Sequence, residues 1–189
     1  MKIYRKNLNF LWFFISVLSV GVVEAKSFFI EHAETGLIGD TYYLDATVNY
    51  QLSDQAKEAL LKGVELTFEL KIEVIRKKGL LWLFNKKVSQ SVQRYTLKYQ
   101  PLTQQYKVLH INSGKSRNLP SLSTATWILG IVADLPLLKQ EEVNPKAQYV
   151  VRLKALFDIE SLPVPIRLLA YFAPGWYMSS DWYVWPLEP

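Results

Sequence analysis

The chain contains no cysteine, and that absence excludes a good deal of chemistry. Without a thiol there is no disulfide framework, no thiolate metal site, no cysteine nucleophile and no lipid-modified cysteine. Histidine is scarce, with only His32 and His110. The 8 glycines are scattered, and no Gly-rich loop that would cradle a phosphate occurs. No G-x-S-x-G elbow is present to hold a serine nucleophile. The most apolar stretch, Phe10 to Val23, is fourteen residues long. It is short for a bilayer core of about 30 Å, which needs about 20 residues.

What is present describes a globular, exported protein. Half of the 189 residues are hydrophobic and 14% are aromatic, too many for a disordered chain. Residues 1–9 carry Lys2, Arg5 and Lys6 with no acid, and the apolar run follows. Val23-Glu24-Ala25 then places small or apolar side chains at the −3 and −1 positions of a cut after Ala25. This order predicts a secretory signal peptide over 1–25, with an uncleaved anchor as the competing reading. Its removal takes three basic residues and one acid, leaving 19 basic and 16 acidic residues in 26–189. A net charge of +3 with both signs interspersed gives no footprint for nucleic acid. The mature chain reads as one domain, 26–189, long enough to rely on its core without staples.

The predicted class is α+β, a mainly antiparallel sheet or modified β-sandwich with two or three short helices. Two segments carry this prediction. In 42–52, Tyr42, Leu44, Ala46, Val48, Tyr50 and Leu52 share one face and polar residues the other. In 64–74, Val64, Leu66, Phe68, Leu70, Ile72 and Val74 oppose Glu65, Thr67, Glu69, Lys71 and Glu73. Such alternation predicts strands with one face on a core and one in water. Further strands are expected at 27–33, 88–99, 105–111, 148–157 and 177–185. A phase slip between Val92 and Tyr95 suggests a bulge. Helices are expected at 54–62, capped by Ser53, at 121–134, and as a short turn at 163–172.

Several short stretches recur together in one family. They are Leu52-Ser53 with Ala59-Leu60 and Gly63 to Leu66, Tyr99 with Leu102-Thr103 and Tyr106, and Ser121-Leu122 with Ala125. Tyr149 to Arg152, Leu162 to Arg167, and Trp176 with Ser180, Trp182 and Trp185 complete the set. In this order they resemble the exported Gram-negative bacterial "domain of unknown function" family number 4390. The resemblance implies an envelope compartment and a signalling context with a membrane sensor, but no reaction and no catalytic residues. The basic stretch 112–120 departs from the family pattern and is expected to be a loop.

Candidate sites are few. His32 and His110 lie in expected strands with nothing to place either beside a serine and a carboxylate, so a triad is not expected. Glu31-His32-Ala33-Glu34 supplies two ligands on one strand face, short of the four a structural metal site wants. No metal, cofactor or catalytic group is predicted. The segment with the clearest local chemistry is Arg76, Lys77, Lys78, Gly79, Leu80, Leu81, Trp82, Leu83, Phe84, Asn85, Lys86 and Lys87. It is an apolar cluster between cations at an expected hairpin. Three readings stay open: contact with anionic lipid headgroups, an anchor for a protein partner, or a cluster folded back onto the core. Trp176, Trp182 and Trp185 form a candidate aromatic surface, with packing within the final strand as the alternative. The expected function is a non-catalytic exported envelope protein, periplasmic or loosely held at the inner membrane, presenting a surface to an envelope partner such as a membrane sensor. The alternative is a periplasmic small-ligand carrier with an aromatic-lined pocket. A carboxylate-based glycan hydrolase is the remaining reading.

Overall fold

The computed structural model describes residues 27–77 and 86–188. They form two antiparallel sheets. Strands β1 (Phe28–Ile38), β2 (Thr41–Tyr50) and β7 (Ile131–Lys139) make the first, in the order β1-β2-β7. Strands β3 (Leu66–Arg76), β4 (Lys86–Gln100), β5 (Gln105–His110), β6 (Ser116–Leu119), β8 (Tyr149–Phe157) and β9 (Tyr183–Leu187) make the second, in the order β6-β5-β4-β3-β8-β9. The helices are α1 (Asp54–Leu61), α2 (Leu122–Gly130) and α3 (Val164–Ala170). This is the mainly antiparallel α+β architecture that the alternation predicts.

The two sheets stack because each has an apolar face to bury. On β2, Tyr42, Leu44, Ala46, Val48 and Tyr50 are buried. They meet Leu66, Phe68, Leu70, Ile72 and Val74 of β3 and Val151, Leu153 and Ala155 of β8 within one core. Phe28, Tyr50, Phe68, Phe157 and Trp176 continue that core as a chain of ring contacts with centroids 4.8 to 5.9 Å apart. Each such side chain, fully buried, contributes about 1.5–3 kcal/mol. β1 lies over β8 and β9, where the Trp185 indole donates to Thr35 Oγ1 at 3.4 Å. β7 lies over β4, where the Ser89 hydroxyl donates to the Leu137 carbonyl at 3.1 Å. Three strands thus face six. Beyond β7 the inner face of β5 and β6 has no facing strand, and α2 packs there instead.

Several expectations are corrected. Segment 64–74 does not keep one face in water: Thr67, Glu69 and Glu73 are buried along with the apolar set. β3 is central in its sheet, and long cationic side chains from β4 and β8 lie across its outer carboxylates. No bulge separates Val92 from Tyr95. The β3–β4 register is continuous there and shifts instead between Val74 and Ile75. The slip is chemical: Gln93 occupies an inner-face position opposite Leu70. The helix expected over 121–134 ends at Gly130, where β7 begins directly. Residues 116–119 of the expected loop form the edge strand β6 on β5. The last strand starts at Tyr183, with a single bridge at Ser179 before it. Ser53 caps α1 as expected, its hydroxyl accepting from the Ala56 N–H at 3.2 Å.

Candidate functional site

The unfaced part of the large sheet forms a cleft of about 630 Å³, open to solvent. One wall is the inner face of β4 and β5, with Tyr95, Val108 and His110. The other is α2 and the start of β7, with Trp127, Ile128, Ile131 and Leu135. Lys115, Ser116 and Arg117 rim it. Trp127 is 61% exposed although it sits among apolar neighbours. Gly130 explains how α2 reaches this position. A Cβ there would overlap the Val48 carbonyl, so only glycine lets the helix end against β2.

A string of polar groups runs along the β4–β5 wall, which is unusual on a sandwich's inner face. The Gln93 amide donates to Ser91 Oγ at 2.7 Å, and Gln93 Oε1 lies 3.0 Å from His110 Nε2. The other ring nitrogen, Nδ1, lies 2.9 Å from Ser113 Oγ. Tyr95 stacks on the imidazole at 4.5 Å, nearly parallel. With Gln93 Oε1 accepting, Nε2 carries the ring proton and Nδ1 accepts from the Ser113 hydroxyl, an assignment that rests on the network. Burial, and then the charge of Lys115, hold the His110 pKa below its ordinary 6.5, so the ring is neutral at neutral pH. Burial also raises the Tyr95 phenol.

This Ser113–His110 pair is poorly built for nucleophilic catalysis. A histidine that takes the serine proton becomes a cation and needs a carboxylate behind it. Here only a neutral amide stands behind it, while burial and the charge of Lys115 oppose the cation. The arrangement suits hydrogen bonding. Lys115 and Arg117 make no ion pair among the described residues, which leaves two cations beside an apolar cleft.

The outer face of the large sheet holds the other cluster. Glu73 accepts from Lys87 Nζ at 2.5 Å and from Arg152 Nε at 2.6 Å. Trp182 lies against the Arg152 guanidinium, 4.3 Å from ring centroid to charge centre. Glu69 pairs with Arg94 at 2.9 Å and with Lys71 at 3.4 Å. Burial pushes the Glu73 carboxyl up, but the hydrogen bonds and charges of Lys87 and Arg152 together outweigh it and hold it below the usual range. Every group in this cluster already has a partner, so it reads as a clamp across three strands.

The sequence-predicted residues fall in different places. Lys78, Leu80, Leu81, Trp82, Leu83 and Phe84 lie outside the described residues. Their flanks are placed: Arg76 pairs with Lys86 and Tyr149 at one end of the sheet, Lys77 is exposed, and Lys87 reaches Glu73. The three tryptophans do not share a surface. Trp176 is buried against Phe157, Trp185 packs against the core, and Trp182 covers Arg152 on the outer face. His32 Nε2 stands 3.4 Å from Glu34 Oε2 at an exposed position. Among the described residues no group of three or more His, Asp or Glu could hold a metal ion. Sequence reasoning missed the cleft, although Gln93 breaking the inward pattern of β4 is a trace of it.

A family model described as "Domain of unknown function (DUF4390)" matches residues 25–186. No curated protein and no solved structure matches the chain.

Proposed function

The chain belongs to the DUF4390 family, and from that premise we propose that it is a non-catalytic exported envelope protein that binds a segment of a protein partner in the α2–β5 cleft. One observation carries the reading: a neutral, fully hydrogen-bonded His110 and a stacked Tyr95 line an open apolar cleft whose rim holds two unpaired cations. A segment with apolar side chains for Trp127 and Ile131 and an acidic group for Lys115 and Arg117 complements both features. A membrane sensor of the envelope fits the signalling context that the resemblance implies. The carrier reading receives less support, because a small ligand is usually enclosed and this cleft is open.

Affinity isolation from chemically cross-linked envelopes of exporting cells tests the proposal. A component held by the wild type should be lost from Trp127→Ala and from Arg117→Glu, and kept by Lys154→Ala on the opposite face of the sheet. Equal recovery from all four proteins would overturn it.

A further inference from the structure

The sandwich has two unlike ends. At one end stand the β1–β2 turn at Gly39 and Asp40 and the last pair of the β3–β4 ladder, Arg76 with Lys86. At the other stand Ser27, α1, the β4–β5 turn and α3. The contacts that define this second end are direct. The Phe28 N–H donates to the Ser179 carbonyl at 3.4 Å, the Ser53 N–H meets Met178 Sδ at 3.4 Å, and Gly175 lies against the Gln55 side chain.

This second end exposes large apolar side chains. Phe172 is 89% exposed, Leu169 73% and Leu168 57%. Leu102, at the β4–β5 turn, is fully exposed, and Leu61 at the end of α1 is half exposed. From Leu162 to Ser180 the sequence carries one charge, Arg167. Three ion pairs lie at this end: Asp54 with Lys57, Glu58 with Lys62, and Glu160 with Arg167. The Tyr171 hydroxyl donates to Glu160 at 2.6 Å, which leaves an amphipathic ring beside Phe172. A cluster of this kind on a monomer's surface marks a contact.

The sequence says what the contact is with. Phe10 to Val23, the apolar leader, ends four residues before Ser27, and Ser27 opens the described domain at this same end. While the leader sits in the bilayer during export, Ser27 and this end of the domain stand against the membrane surface, whether or not the leader is later cut. We propose that the α3 end of the sandwich is a lipid-docking surface, with Leu168, Leu169 and Phe172 entering the headgroup–acyl boundary and Tyr171 at its rim. The one charge of the inserting segment, Arg167, is paired with Glu160, so the insertion is apolar in kind and insensitive to the charge of the lipid. The β3 strand separates the two ends by about 33 Å, from its ~3.3 Å rise per residue. The basic hairpin base at Arg76 and Lys86 therefore points away from the bilayer.

The lack of cysteine makes the test clean. Single cysteines replace Phe172, Leu169 and, at the far end, Ile38, all exposed in the fold. Each variant is isolated in the form that exporting cells accumulate, checked for native circular dichroism, labelled with an environment-sensitive fluorophore and mixed with vesicles. The vesicles contain phosphatidylethanolamine with or without phosphatidylglycerol, plus lipids carrying a spin-label quencher. Severalfold stronger quenching at 172 and 169 than at 38, unchanged by phosphatidylglycerol or salt, is the expected result. No quenching at 172, or equal quenching at 38, overturns the proposal. Label-to-label transfer between copies without lipid quenching also overturns it, because the patch would then be a self-association surface.

Discussion

Two ionisable residues set the chemistry of the two sheet faces. Glu73 is 5% exposed yet held in its charged form by Lys87 and Arg152. Glu73→Gln removes the charge that both cations answer and should cost about 1–3 kcal/mol at neutral pH. The folded pKa lies below that of the unfolded chain, so the carboxylate stabilises the fold above about pH 4.3. That stabilisation is lost as pH falls through the lowered folded value. Urea midpoints of wild type and variant should therefore differ at pH 7 and converge as pH falls below the lowered folded value. His110 shifts in the same direction for a different reason, because its environment favours the neutral form. Its folded pKa lies below 6.5, so the unfolded chain takes up a proton first as pH falls, and stability declines from about that pH downward. Proton NMR of the imidazole should give a midpoint below 6.5. A midpoint above it would mean that a carboxylate, and not Gln93, faces the ring.

At the scale of elements, the approach of α2 to β2 depends on one absent side chain. Gly130→Ala forces the helix end off the Val48 carbonyl and should cost about 1–3 kcal/mol, read from thermal or urea unfolding. The same change should widen the cleft and weaken partner recovery more than the Lys154→Ala control does. Alternation made β2 legible in the sequence because its polar face does stay partly exposed. β3 was legible as a strand but not in its surroundings, since alternation reports polarity and not exposure. Glu69 and Glu73 are polar and buried because the cations that cover them come from β4 and β8, far away in sequence. β7 was hidden because Leu122, Ala125, Leu129 and Val132 keep helical spacing across Gly130, although the helix ends there. Only the contact with Val48 reveals the stop. The cleft was illegible for a related reason: Gln93, His110 and Trp127 meet through sheet order, which no local pattern encodes.

For the whole molecule, unequal sheets are the governing feature. Three strands against six leave β5 and β6 partly uncovered, and α2 turns the vacancy into a cleft with a chemically distinct lining. Among the described residues no helix is long and apolar enough to cross a membrane. The proposed export then rests on the leader, and N-terminal sequencing of the exported protein should begin at Lys26. Met1 retained on membrane-bound material would instead make the leader an anchor. Photo-crosslinking in exporting cells, from position 127 in the cleft and position 154 on the outer face, tests the central claim most directly. A single envelope-protein adduct from 127, absent from 154 and abolished by Arg117→Glu, is the predicted result. An adduct from 154 with none from 127 would contradict it.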